Sequence, residues 1–371
     1  MKVLNKNIIV LILFSVISAS FYGQTKSVAS FFNDGVKAQN SEKWYEASQN
    51  FMEVLKINNA YSDAWFHLAQ CSYQLSEFDL VLEQLEQAEK FAKNDNAINN
   101  LRGMTYIAMG KFDEARKVFL DIIKTTPNDV EARFGLAELD LFDGKVTGAE
   151  RQYSEALKRQ SKNRKALLSL AIVSAQLGKN ENAKKYINQA LSSYSNEAEV
   201  HYLAAIVCAM NSDFTNAEKH CRVAVEVDGD YDKAYELLAK LRYFFNDYED
   251  VISICDFRIG RNRTCPSAWY LKGCAQKSNG NPDLAIETWS AGLRITPDDE
   301  VMRAALELAV AETVPFEDER RTEWASYHIS KALDYERRYD NAGSSYEYQR
   351  ALKLQPNNDK ARMAFAAMLE L

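Results

Sequence analysis

The chain has 371 residues, only 14 of them Gly and 6 Pro, with 47% hydrophobic and 26% charged residues and a formal net charge of −7. Average usage is about 7% Gly and about 5% Pro, so this scarcity disfavours Gly- and Pro-punctuated β-sandwiches, collagen-like chains and low-complexity disorder. The negative charge argues against a general polyanion binder, which carries a basic face, so nucleic acid is not the expected partner.

The first element in chain order is a leader. Lys2 and Lys6 precede an apolar run over residues 8–17, and small residues follow at Ser18, Ala19 and Ser20. That order predicts a secretory signal peptide over residues 1–23, with cleavage after Ser20 or after Gly23. The run falls short of the about 20 apolar residues a membrane span needs, and an uncleaved anchor is the alternative. The first Cys is Cys71, far from either cleavage site, which disfavours a lipid-anchored lipoprotein. The expectation is a soluble mature chain, periplasmic or secreted, without a direct membrane span after cleavage.

From Val28 a 34-residue frame organises the sequence, restarting at Ser62, Asn96, Val130, Arg164, Ala198, Asp232 and Pro266. Its eighth position is always small: Gly35, Ala69, Gly103, Ala137, Ala171, Ala205, Ala239 and Gly273. The twentieth is Ala or Val throughout, and the twenty-fourth is usually larger: Phe51, Leu85, Phe119, Tyr153, Ile187, Cys221, Cys255 and Trp289. Within each frame two apolar runs of 3- and 4-residue spacing predict two helices. Small side chains at positions 8 and 20 let their backbones approach, and the bulk at position 24 fills the space between. Gly110, Gly144, Gly178 and Gly280 share the fifteenth position, where the first helix must end and turn.

Trp65-x2-Leu68-Ala69, Gly103-x2-Tyr106 with Ala115-x3-Phe119 and Pro127, and Trp269-x3-Gly273 with Ala285 and Pro297 carry a likeness to a known repeat. With these residues the chain resembles the tetratricopeptide repeat family from Val28 to about Asp299. The resemblance implies an all-α solenoid of stacked helix-turn-helix hairpins in a right-handed superhelix, eight repeats over 28–299, with the first helices lining a concave face. Arg133 and His201 depart from the large apolar residue expected at position 4, and Arg258 from a small one at position 27, so the seventh repeat fits least.

After Asp299 the phase slips. Residues 300–321 read as a single helix, broken by Pro315, and a charged connector; 322–371 read as a degenerate ninth hairpin plus a C-terminal capping helix. Tyr339, Ala342, Tyr348, Ala351 and Pro356 fit that hairpin if two extra residues are allowed. A capping helix covers the last apolar face of such an array; the alternative is docking to a partner through Met363, Phe365, Met368 and Leu369.

The four His form no paired ligand spacing on a helix, and no nucleophile signature or Gly-rich phosphate cradle occurs. The expectation is therefore no enzyme activity, no cofactor and no metal. Cys208, Cys221 and Cys255 read as small buried hydrophobes, while Cys265 and Cys274 are less constrained and the disulfide state stays open. Asn262-Arg263-Thr264 is a glycosylation sequon.

If the family geometry holds, positions 2, 5, 9, 12 and 13 of each first helix point inward. They give Phe66, Tyr73, Met104, Ile107, Phe134, Leu141, Phe142, Leu168, Ile172, Tyr202, Ile206, Met210, Tyr243, Phe244 and Tyr270 as partner-binding candidates. Aromatic residues are favoured at interfaces, and large bare apolar patches are uncommon; the bland alternative is packing between neighbouring helices. Position 5 is mostly Phe, Leu and Tyr, which does not reproduce the Lys/Asn clamp with which some family members grip a C-terminal carboxylate. The reading is an exported, non-enzymatic scaffold binding a protein or peptide segment in an apolar, aromatic groove, in a membrane-associated complex only through such a partner. The alternative is a permanently assembled structural subunit of a cell-envelope or secretion complex.

Overall fold

The computed structural model describes residues 26–93 and 95–369. The predicted leader, residues 1–23, lies outside the described residues. Among the described residues the chain forms twenty helices and no strand. The chain divides between Gln189 and Ala190 into two compact units. Each is a stack of antiparallel helical hairpins, so the protein is an all-α solenoid.

The frame sets the helix starts from Val28 to Pro282. First helices begin at Val28, Ser62, Asn96, Val130, Arg164, Ala198, Asp232 and Pro266, and second helices sixteen residues later, from Trp44 to Pro282. Before several first helices a short polar side chain caps the free amides: Asp129 accepts from Ala132 N at 2.9 Å, Asn163 from Ala166 N at 2.9 Å and Asp299 from Met302 N at 2.7 Å.

Position 15 is left-handed in every repeat. Gly110, Gly144, Gly178 and Gly280 have φ between 69° and 83°, but Glu42, Ser76, Ser212 and Asn246 adopt the same conformation, with φ from 57° to 62°. Tyr106 O accepts from Lys111 N at 2.8 Å and Ile107 O from Gly110 N at 2.9 Å, the paired bonds that close a helix on a left-handed residue. Where Gly is absent, that closure overrides a local penalty of about 1–2 kcal/mol.

Packing inside a hairpin matches position 8 to position 24. Phe51, Phe119 and Trp289 face Gly35, Gly103 and Gly273, whereas Leu85, Ile187, Cys221 and Cys255 belong to repeats with Ala at position 8; Tyr153, in the repeat of Ala137, is the one large ring of the eight repeats without a Gly at that position. A Cβ on Gly103 would stand 2.5 Å from the Phe119 ring, and one on Gly135 of the next repeat would also collide with it. The ring, fully buried, is thus gripped between two hairpins. Gly273 lets Trp289 come close enough for Nε1 to donate to Tyr270 O at 3.0 Å.

Position 4 corrects a sequence expectation. Arg133 and His201 look like departures from an apolar site, yet they share a task with the Trp found elsewhere. Trp65 Nε1 donates to Asn59 O at 2.8 Å, Arg133 Nε to Pro127 O at 3.1 Å and Trp269 Nε1 to Arg263 O at 2.9 Å. His201 Nε2 lies 2.9 Å from Ser195 O, and Arg303 Nη2 donates to Pro297 O at 2.9 Å. In these five helices the residue supplies an N–H that satisfies the carbonyl six residues earlier, in the turn entering the helix, whereas Phe31, Leu167 and Tyr235 hold the same position without a side-chain N–H.

Arg258 is reconciled in the same way. Its guanidinium, almost fully buried, donates to Asp232 through Nε at 2.8 Å and Nη2 at 2.9 Å, and to Glu236 at 3.1 Å. Those hydrogen bonds hold the Asp232 carboxyl below its ordinary value. The charge at position 27 is therefore matched by acids at positions 1 and 5 of the same repeat.

The frame persists one helix further than its apolar pattern suggests. Glu300–Thr313 starts in phase, capped by Asp299, and Pro315 then ends it. The next helix is Arg320–Arg337, longer than the first helices before it, followed by a left-handed Tyr339 and the helix Asn341–Leu354. Counted on from Tyr339 as position 15, the small position 20 is Ser344, fully buried, whereas Ala342 is exposed. The hairpin thus keeps the regular spacing, with extra residues prefixed to its first helix rather than two inserted within it. Arg321, assigned to a charged connector by sequence, is buried and donates to Val310 O and Leu354 O, both at 2.8 Å, and to Val314 O. Asp359–Leu369 packs on Asn341–Leu354 as the last helix.

Candidate functional site

Position 13 ends each first helix and position 17 opens each second one, so the two can meet between adjacent repeats. In the first unit Phe142 lies against Phe112 of the preceding repeat, ring centroids 4.0 Å apart. In the second unit Phe244 lies against Phe214 in the same way at 4.6 Å, and Phe245 adds a third ring at 5.6 Å. Phe142 is 67% exposed and Phe244 60%, so half of each pair faces solvent despite the stacking. These are two equivalent aromatic platforms, one per unit.

Each platform is braced by an ion pair at identical positions with opposite polarity. Beside Phe142, Arg116 donates to Asp140 and Asp143, both at 2.9 Å. Beside Phe244, Arg242 donates to Glu218 at 2.6 Å and to Asp247 at 3.0 Å. Position 21 of one repeat and position 11 of the next therefore exchange Arg–Asp for Glu–Arg. Lys145 and then Arg116 hold the Asp143 carboxyl below its ordinary value. The Arg116–Asp140 and Arg242–Glu218 pairs are largely shielded from solvent, and they fix the helix ends that present the rings.

The other predicted residues divide by exposure. Leu141 and Met210 are open, and Phe66, Tyr73, Met104, Ile107, Ile172, Tyr202, Ile206, Tyr243 and Tyr270 are half-buried. Phe134 and Leu168 are corrections: they are buried at 4% and 5% exposure and form no part of an open surface. Phe134 packs against Tyr153 and lies under the Lys165 ammonium, 4.7 Å from its ring centroid. The half-buried tyrosines pair off at the edges: Tyr73 with Phe78, Tyr243 with Tyr248 and Tyr202 with Tyr231. Burial, then the Glu138 carboxylate, pushes the Tyr73 hydroxyl above its ordinary value. Sequence reasoning missed Phe112, Phe214 and Phe245. The signal for the first two was an aromatic column at position 17, running Trp44, Phe78, Phe112, Phe214 and Tyr248.

Polar chemistry concentrates elsewhere. A cleft of about 600 Å³ is lined by Asn96, Asn99, Arg102, Asp121, Thr125 and Thr126, with Val118 and Ile122; Arg102 is already committed to Glu89 at 2.7 Å and Asn99 at 2.6 Å. In the C-terminal part, fully buried His328 stands 2.6 Å from both Glu307 and Glu347, and Arg350 and Lys331 close the network onto Glu300. Burial opposes ionisation of Glu307, but the hydrogen bond and charge of His328, joined by Arg350, hold its carboxyl below the ordinary value. This network ties three helices together. Cys71, Cys221, Cys255, Cys265 and Cys274 carry free thiols, and burial pushes those of Cys221 and Cys255 up to about 12, far from the reactive thiolate range. Among the described residues no helix is long and apolar enough to cross a membrane.

With this geometry established, tetratricopeptide repeat family models match residues 97–139, 138–183, 173–232 and 266–299. These segments are tetratricopeptide repeats, corresponding to hairpins three to six and eight; the first, the second and the seventh, which has Arg258 in its core, lie outside the matches. No curated protein matches the chain. Among solved structures, the Cut9–Hcn1 hetero-tetramer of the APC/C is similar over 79% of this chain and 57% of that one, at 16% identity and a TM-score of 0.54. A tetratricopeptide repeat protein from Parabacteroides merdae matches 67% of this chain and 98% of its own, at 15% identity and a TM-score of 0.52. PilW, a type IV pilus biogenesis factor, matches 57% and 98%, at 17% identity and a TM-score of 0.51. At these identities the likeness is one of fold.

Proposed function

We propose that the chain is an exported, non-enzymatic scaffold that holds a protein or peptide segment on its aromatic platforms, working in the periplasm or outside the cell. The observation that carries this reading is the pair of exposed ring stacks, Phe112–Phe142 and Phe214–Phe244, each braced by an ion pair at the same repeat positions. Rigid aromatic surface costs little conformational entropy when it is covered, and aromatic anchors dominate binding energy at interfaces. The leader motif at the N-terminus supports export.

A second reading, a permanently assembled subunit of an envelope or secretion complex, is favoured by bare apolar residues near the end of the chain: Val301 at 64%, Leu308 at 57% and Met363 at 75% exposure. Capture experiments with Phe142→Asp/Phe244→Asp separate the two. Both side chains are mostly exposed, so the helical circular-dichroism signal should be unchanged while partner yield from the native host falls about tenfold or more. Unchanged yield would sink the platform reading; an isolated protein that is not monodisperse would then favour the second.

A further inference from the structure

The sixth hairpin places two histidines face to face. His201, at position 4 of the helix Ala198–Met210, and His220, at position 23 of the helix Phe214–Val227, bring their Nδ1 atoms to 3.4 Å. The rings are 5.7 Å apart between centroids and inclined by 33°. At this separation the contact is at most a long hydrogen bond. It is the spacing of two ligands on one tetrahedral metal: zinc–nitrogen bonds of about 2.0–2.1 Å put adjacent ligand nitrogens about 3.4 Å apart.

The repeat itself fixes the tautomer that such a site requires. Trp65, Arg133, Trp269 and Arg303 each donate an N–H from position 4 to the carbonyl six residues earlier, and His201 meets Ser195 O in the same way through Nε2 at 2.9 Å. The proton therefore sits on Nε2, and Nδ1 offers its lone pair toward His220. Metal-ligating histidines characteristically donate their second ring N–H to just such a carbonyl or carboxylate. His201 is almost buried while His220 is half-buried, so the pair lies against the surface rather than sealed in the core.

We propose that His201 and His220 form a two-histidine site for a borderline-soft divalent transition-metal ion such as zinc. Among the described residues no group of three or more His, Cys, Asp and Glu side chains gathers as a metal site, so solvent would complete the coordination. Imidazole pairs suit zinc, copper and nickel, and do not suit magnesium or calcium, which take oxygen ligands.

The fourth repeat supplies a fold-preserving control. There the same two positions hold Arg133 and Gln152, joined by a 2.9 Å hydrogen bond, and Arg133 also serves the loop carbonyl. His201→Arg/His220→Gln copies that pair into the sixth repeat and removes both imidazoles. Zinc should be titrated calorimetrically into the untagged full chain and into this variant, with His220→Ala alongside. The expected result is one zinc per wild-type chain, bound at least about tenfold more weakly by each variant, since even an outer-shell partner is worth that much. Imidazole nitrogen shifts of His201 and His220 should move on zinc addition, while those of His67 and His328 stay fixed. Equal stoichiometry and affinity in the double variant, or no saturable binding by the wild type, would overturn the proposal.

Discussion

Arg321→Met is expected to destabilise the C-terminal part of the chain by about 2–4 kcal/mol. The guanidinium is 1% exposed and donates to Val310 O, Val314 O and Leu354 O, carbonyls at the ends of two helices. Those ends are where helix acceptors lack partners and where the helix dipole favours a cation. A buried acceptor left without its donor costs about 1–3 kcal/mol; the desolvation that the guanidinium no longer bears offsets part of this. Met fills similar volume but restores no donor. Hydrogen exchange should therefore accelerate over residues 300–354 and stay unchanged in the hairpins before Gln189, because repeat stacks couple chiefly through neighbours. Wild-type protection across 300–354 would refute the role assigned to Arg321.

Phe119→Ala should have a still larger effect, about 3–5 kcal/mol, the usual cost of truncating a buried Phe. Its ring occupies the space that Gly103 and Gly135 leave by lacking a Cβ, so neither backbone can close the cavity with a side chain. A compensating pair distinguishes this fit from generic burial. Repeat two holds Leu85 opposite Ala69, both fully buried. Phe119→Leu/Gly103→Ala copies that arrangement and should be more stable to urea than Phe119→Leu alone. A double variant no better than the single one would show that the match between positions 8 and 24 is not what sets the packing.

Much of the fold was legible because volume alone defines the core positions. Small residues at 8 and 20 and larger ones at 24 follow from how close two helices must come, and the helices start where that frame puts them. The left-handed joint was legible in only half the repeats, since Glu42, Ser76, Ser212 and Asn246 satisfy by tertiary closure what Gly satisfies by freedom. Arg133 and His201 were misread because apolarity was the criterion at position 4, while in their repeats, as in those of Trp65 and Trp269, an N–H there meets the loop carbonyl six residues earlier. Arg321 was placed in a connector because charge in a short segment looks solvated, and only the convergence of two helix ends explains its burial.

The candidate site was legible in part. Phe142 and Phe244 were found by period, but their stacking partners Phe112 and Phe214 sit on the second helix of the preceding repeat, which a one-helix reading does not reach. Phe134 and Leu168 share position 5 with half-buried Phe66, Tyr202 and Tyr270, yet are covered; for Phe134 the cover comes from Tyr153 and Lys165. Exposure at one repeat position thus depends on residues elsewhere in its own repeat and in the next, which no single-position rule contains.

The central claim is that the chain works through its exposed ring stacks, and site-specific photo-crosslinking in the native host tests it most directly. A photoreactive residue would be placed at Phe142 or Phe244, and for comparison at Tyr45 or Leu284, which are exposed on second helices. Adducts to one protein partner from the two platform positions, with none from the comparison positions, is the predicted result. Adducts of equal yield from all four positions, or from Tyr45 and Leu284 alone, would contradict it.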